Sequence, residues 1–303
     1  MKTERVISQI RACPFDKVLN DKCYSYIKKE YACIRTDRSY FKPLRNISKM
    51  MFYIIIVMMA LFLSAFTAKY GKNNVVIGRE SKGYSGLAGP APILGTASTF
   101  GVIATTANSK TGATHVYGDV SLDSDSSATG FPREQITGGA IHINDAISAQ
   151  AKIDLIIAYN DLASRPAATG AFAFTSNQDL SGLILIPGIY TSPSKIGLSN
   201  VMGPLTLDAQ DNTNAVWVFQ IGSSMTTTNG NIVLANGAQA KNVFWQVTQD
   251  ATLGKNTIFS GTIVSGRDIT LMTGASVAGR ILAGATTYGT IALQNNIITV
   301  PPQ

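Results

Sequence analysis

Four short runs decide how this chain folds: Met225-Thr226-Thr227, Ala251-Thr252-Leu253, Ile269-Thr270-Leu271 and Ile291-Ala292-Leu293. In each, a small residue stands between two mostly apolar ones. Side chains alternate faces along a strand, so the flanks turn one way and the centre the other. Stacked as successive turns of a solenoid, Thr226, Thr252, Thr270 and Ala292 would form one column at the strand spacing of about 4.8 Å.

Working outward, residues 243–246, 262–265 and 280–283 supply a strand before each of the last three runs. Residues 256–261, 274–279 and 295–300 supply a third segment after them. The unit of roughly 20 residues is strand, corner, triplet, Gly/Asn corner, strand, a period that marks a β-helix whose coils bury their apolar faces only by stacking. Residues 216–235 read as an earlier coil with longer corners, and 183–207 as a less regular one.

Composition agrees. Twenty-seven glycines and only 14% charged residues suit tight corners and strand stacks better than a helical bundle. One stretch, 144–165, has helical period: Asn144 is the expected N-cap, Asp145 lies in the first turn, and Pro166 stops it. Its stripe of Ala146, Ala149, Ile153, Ile156, Ile157 and Asn160 is expected to lie on the solenoid and cover one flank of the core.

The N-terminus is a different kind of polypeptide. Residues 1–49 hold 12 Lys or Arg against 5 Asp or Glu, whereas 50–303 hold 13 of each. The formal charge of +7 therefore sits in this basic tail, and a nucleic-acid reading of the main domain loses its support. Residues 50–68, MMFYIIIVMMALFLSAFTA, form an apolar run between Lys49 and Lys69 that is just long enough to span a bilayer. Two readings stay open: a cleaved signal peptide beginning near Met50, or a type II signal anchor preceded by basic residues. Either exports the domain that follows, giving a secreted protein or one held in a membrane only through 50–68. Residues 69–92, rich in Gly, Ser and Lys, read as a flexible linker, with the folded domain at 93–303.

Cys13, Cys23 and Cys33 all lie in the tail at a spacing of ten that matches no zinc pattern. The domain beyond must rely on core burial, for which its length is ample. Chemistry is sparse. His115 and His142 belong to no metal or catalytic motif, and the chain has no nucleophile elbow and no P-loop. Asp123, Ser124, Asp125 and Glu134 mimic a calcium loop, but Ala128 stands where glycine is needed. Arg267, Asp268 and Arg280 are the one hint of a charged cluster, and read as a surface ion pair. No enzyme activity, cofactor or metal is expected.

A series of motifs carries a resemblance: Leu94-Gly95-Thr96-Ala97-Ser98-Thr99-Phe100, Thr129-Gly130-Phe131-Pro132, Thr137-Gly138-Gly139, Ala149-Gln150-Ala151 with Ala158-Tyr159-Asn160-Asp161-Leu162, Leu185-Ile186-Pro187-Gly188-Ile189-Tyr190, Leu205-Thr206-Leu207-Asp208-Ala209, Val218-Phe219-Gln220-Ile221 and Asn236-Gly237-Ala238 through Phe244-Trp245-Gln246-Val247. In this order, over about 94–300, the chain resembles the large microbial ice-binding (antifreeze) protein family. The resemblance implies a mainly β fold, a discontinuous right-handed β-solenoid of triangular cross-section with one long α-helix alongside. A coil from 94–140 is then inserted beside the C-terminal coils. It also implies a monomer whose partner is ice and its ordered water, bound by one flat face, giving thermal hysteresis and inhibition of recrystallisation.

The triplet strand is the expected ice face. Thr226, Thr252, Thr270 and Ala292 point outward, with Ser224, Thr228 and Thr290 two residues away on the same side, and Gly197 and Ser109 extending the column. The other strands offer Gln220, Gln246 and Ser265, or Thr206, Ile258 and Ser276, series that look less uniform. The alternative function is a cell-surface carbohydrate-binding or adhesive β-helix, which would need exposed rings; Trp217, Trp245 and Tyr288 are the candidates.

Overall fold

The computed structural model describes residues 75–77, 88–106, 108–122, 132–167, 172–174 and 177–302. The basic tail, the three cysteines, the apolar run 50–68 and Asp123, Ser124, Asp125 and Ala128 lie outside the described residues.

The chain winds into a solenoid of three parallel sheets. One, the triplet sheet, stacks Gln178–Asp179, Ile196–Leu198, Met225–Thr227, Ala251–Leu253, Ile269–Leu271, Ile291–Gln294 and Asn108–Thr111. A second, the helix sheet, runs from Gly188–Ser192 through Trp217–Ile221 and Val243–Val247 to Phe100–Ile103, Asp119–Leu122 and Ile141–Ile143. The third, the wide sheet, begins with Val75–Ile77, Leu183–Leu185, Leu205–Asp208 and Ile232–Ala235. It continues through the first halves of Ile258–Ser265 and Ser276–Ala283 to Ile297–Thr299, His115–Tyr117 and Ile136–Thr137.

The stacking order breaks the chain order, as the resemblance implies. Asn108–Thr111 pairs with Ile291–Gln294, and His115–Tyr117 with Ile297–Thr299, so the N-terminal coil is laid beyond the last C-terminal one.

Corner chemistry explains why the strands stay short. Asn229, Asn256 and Asn295 close the triplet strands with φ of 52°, 54° and 53°, the left-handed region that asparagine tolerates. At the opposite corner, Ile258–Ser265 and Ser276–Ala283 pass between sheets through Gly261 and Gly279, at φ of 113° and 156°. A Cβ on Gly279 would collide with the carbonyl of Gly261 in the coil beside it.

Inward residues fill the prism. Tyr190, Phe219, Trp245 and Phe259 form a ladder of rings through its centre. Trp217 and Trp245 are fully buried, and each satisfies its indole N–H on a backbone carbonyl, of Leu185 and Ser260 respectively.

Helix α1, Ala146–Ser164, covers the helix sheet. Two expectations about it are corrected. Its N-cap is Asp145, whose carboxylate accepts from the Ser148 N–H at 2.7 Å, while Asn144 sits at φ 49° before it. The face that packs is Ser148, Ala151, Leu155, Ala158, Tyr159 and Leu162, against Val218, Phe244, Val264 and Leu282. Ile153, Ile156 and Ile157, expected to cover the core, point to solvent. The helix is apolar on both sides, and the side with small residues seats closest to the sheet, so period alone picks the wrong face.

The N-terminal boundary also differs from expectation. Val75–Ile77, placed by sequence in a linker, pairs in parallel with Leu183–Leu185, and Ala88 is already buried beside α1.

Candidate functional site

Helix α1 occupies one side of the prism, and among the described residues the outer faces of the other two sheets are uncovered. On the triplet sheet the register brings the expected residues into a single column. Gly197 lies opposite Thr226, Thr226 opposite Thr252, Thr252 opposite Thr270, Thr270 opposite Ala292 and Ala292 opposite Ser109. Their neighbours Ile196, Leu198, Met225, Leu253, Ile269 and Leu271 are buried, so the column points outward by alternation.

The flanks are less uniform. Thr228 is exposed at the Asn corner and Ser224 half-buried at the other, but Thr290 is committed elsewhere: its hydroxyl and N–H both donate to the Asp268 carboxylate, at 2.9 and 2.7 Å. Charge runs along that edge, where Arg267 pairs with Asp250 at 3.3 Å. Asp179 stands at the end of the column beyond Gly197. Burial raises its carboxyl pKa, but hydrogen bonds from Ser199 and Ser181 outweigh that and hold it below the ordinary value.

The wide sheet presents two outward columns. One runs Ile258, Ser276, Ile297, His115; the other runs Ala278, Thr299, Tyr117, Thr137 on one stretch and Ile184, Thr206, Val233 on the other. Ile258 is 55% exposed and Ile297 50%, with Val233 and Tyr117 nearly as open. Asp208 is the only carboxylate along these strands, at the margin, where its Oδ1 accepts from both the Gln210 N–H and the Asn236 side-chain amide.

The series Thr206, Ile258 and Ser276, read from sequence as one line along this face, is not a single column. Thr206 pairs with Val233, whereas Ile258 pairs with Asn231 two residues earlier, so Thr206, Ile258 and Ser276 belong to two columns.

Arg280 lies apart from Arg267, buried, donating through Nε and Nη2 to the Ser98 carbonyl at 2.9 and 2.7 Å, and burial lowers its pKa to about 10. His142 Nδ1 lies 2.7 Å from the Asp145 carboxylate, and its ring packs at a tilt of 52° against Phe100, pinning the helix N-terminus to the last coil. Trp217 and Trp245 are in the core, which leaves Tyr288 as the one exposed ring of the three. Among the described residues, no group of His, Cys, Asp and Glu is placed to hold a metal ion, and no helix is long and apolar enough to cross a membrane.

Comparison with known proteins agrees with this geometry. Residues 102–299 match the family model described as ice-binding-like. An ice-binding protein of Nostoc sp. (strain HG1) is 40% identical over 70% of this chain and 77% of its own length. One from Flavobacterium frigoris (strain PS1) is 31% identical over 69% and 76%. Among solved structures, an ice-binding protein from an Antarctic biological consortium superposes with a TM-score of 0.63 at 39% identity, covering 70% of this chain and 92% of that one. That of the ascomycete Antarctomyces psychrotrophicus gives 0.62 at 30% identity, covering 70% of this chain and all of that one. This chain belongs to the ice-binding-like family.

Proposed function

We propose that this protein binds ice, and that the wide sheet makes the contact. The observation that carries the assignment is an uncovered, two-column sheet where Ile258, Ile297, Val233 and Tyr117 stand exposed among Ser276, Ala278 and Thr299, with one carboxylate at its margin. Exposed apolar surface of this extent marks an interaction site. Ice recognition requires water held in a lattice-like arrangement. Methyl groups let water order over them, while hydroxyls at fixed spacing hydrogen-bond and pin it. Ionised groups would orient the same water competitively. A parallel sheet holds all these groups rigidly, so little ordering cost remains on adsorption. No bond is made or broken; adsorbed molecules obstruct growth between them.

A second reading keeps the triplet column as the ice face, through Gly197, Thr226, Thr252, Thr270, Ala292 and Ser109. Its support is the unbroken register of three threonines. Its single outward residue per strand and its charged edge weigh against it.

Ice lies outside the cytosol of most cells that meet it, and the apolar run 50–68 behind a basic tail supports export, by cleavage or by anchoring. Mass spectrometry of the native N-terminus separates those two routes. The function itself is tested by watching single ice crystals grow in a solution of residues 74–303. Faceted crystals and suppressed recrystallisation are expected. Round, unshaped crystals would refute it, and polysaccharide binding without ice shaping would favour the carbohydrate alternative.

A further inference from the structure

We infer that Asn296, with Thr114, is the positioning residue that carries the contact surface of the wide sheet across the break in chain order without a step. The inference rests on the wide sheet as the ice face. At this seam the strand Ile297–Thr299 of the last C-terminal coil pairs with His115–Tyr117 of the inserted coil. Neighbouring strands of the C-terminal coils are joined by a single turn of chain, whereas Asn296 and Thr114 are 182 residues apart in sequence. A short connection therefore does not set the register here, and a slip of one residue would exchange the inner and outer faces of the strand. The outward columns nonetheless run straight across, with His115 opposite Ile297 and Tyr117 opposite Thr299.

Asn296 stands at the corner where the chain leaves the triplet sheet for the wide sheet, and both it and Thr114 are fully buried. Its Nδ2 donates to the carbonyls of Met272 and Ala275, at 2.9 and 3.0 Å, in the coil on one side. Within its own coil, Oδ1 accepts from the Gln294 N–H at 2.6 Å. On the other side its backbone N–H donates to the Thr114 hydroxyl at 3.1 Å, and its carbonyl accepts from the His115 N–H at 2.9 Å. Three coils thus meet on one residue. The same corner of the two preceding coils holds Thr257 and Ala275, whose carbonyls accept from Ser276 and Ile297 as that of Asn296 does from His115. Ala275 shows that the corner closes without an amide, so the amide at the seam has another role. Both of its protons are used, and a satisfied buried network of this kind specifies one arrangement of the groups it joins. The strands it aligns begin at the adjacent residues, Ile297 and His115, and a surface that must match a flat lattice depends on such support from behind. A second seam contact serves as a control. The Gly289 N–H donates to the Thr105 hydroxyl at 2.7 Å, at the corner between the helix sheet and the triplet sheet.

The test uses the full chain, with thermal hysteresis measured near the freezing point on variants whose circular dichroism shows them folded. Thr114→Val removes the hydroxyl that accepts from the buried Asn296 N–H. It should lower the melting temperature and also reduce hysteresis about twofold, because the strands beyond the seam no longer lie level with the rest. Thr114→Ser keeps the hydroxyl and should restore hysteresis. Thr105→Val loosens the seam away from the wide sheet, and should lower the melting temperature while leaving hysteresis at the wild-type value. If Thr114→Val does not fold, Asn296→Ser, which withdraws the amide from Met272 and Ala275, is held to the same criterion. A folded Thr114→Val protein with a lowered melting temperature and wild-type hysteresis would overturn the inference, leaving the pair a purely structural role. Equal loss of hysteresis in Thr105→Val would overturn it too, since any loosening of the seam would then suffice. Ala278→Tyr, measured alongside, separates this failure from that of the wide-sheet reading: hysteresis that collapses there but survives Thr114→Val removes the positioning role alone, and hysteresis that survives Ala278→Tyr removes both.

Discussion

The indole of Trp245 lies flat on the ring of Phe219, with centroids 3.8 Å apart and planes 4° from parallel. The two residues are opposite one another in adjacent strands, so the stack is a direct product of register. It continues to Tyr190 on one side and Phe259 on the other, tying several coils into one core.

Trp245→Ala is therefore expected to cost about 3–5 kcal/mol, the range for emptying a large buried aromatic site. It also orphans the Ser260 carbonyl, which accepts from the indole at 3.1 Å. Chemical denaturation measures the loss. A change well under 1 kcal/mol would mean that the ladder does not hold the coils together.

A buried polar relay closes the same core at the Asn corner. The hydroxyls of Thr227 and Thr257 are 2.7 Å apart, and the Gly254 N–H donates to the Thr227 hydroxyl at 2.9 Å. Thr227→Val keeps the shape and removes the partner of the buried Thr257 hydroxyl, while the Gly254 N–H retains the Thr227 carbonyl at 3.2 Å, so a loss of about 1–3 kcal/mol is expected. Serine at this position should recover most of it, and denaturation of the pair checks both.

Asp145 makes the stability of the helix start depend on pH. The Ser148 N–H, with His142 and the Ser148 hydroxyl assisting, draws its carboxyl pKa down from the ordinary 3.8 to about 2. A depressed folded-state value means that the stabilisation is fully present above pH 4 and is lost as the pH falls through 2. Asp145→Ala should lower the melting temperature at pH 6, and the gap between variant and wild type should close towards pH 2. A gap that does not change with pH would assign the effect to helix propensity instead.

Much of this architecture was legible because a solenoid writes its period into the chain. The triplets announced their own column, and Trp245 its place inside, since alternation fixes which residues of a strand face the core. The inserted coil was read through family resemblance, because pairing of Asn108–Thr111 with Ile291–Gln294 leaves no local trace. Two features were hidden for physical reasons. Helix α1 has apolar residues on both faces, so its stripe could not say which side is buried. On the wide sheet, long corners around 208–216 and 235–242 shift the apparent alignment, so that Thr206 looked like a neighbour of Ile258 rather than of Val233.

The assignment of the ice face turns on one pair of substitutions. Ala278 is exposed in the middle of the wide sheet, between Ser260 and Thr299, and Thr270 is in the middle of the triplet column, between Thr252 and Ala292. Tyrosine suits an exposed strand position, so both variants should fold with little change in melting temperature. Each ring would lift its own face off a flat lattice. Thermal hysteresis measured on the two purified, folded variants is predicted to collapse for Ala278→Tyr and to persist for Thr270→Tyr. Wild-type hysteresis in a folded Ala278→Tyr protein would contradict the account, and its loss in Thr270→Tyr instead would move the ice face to the threonine column.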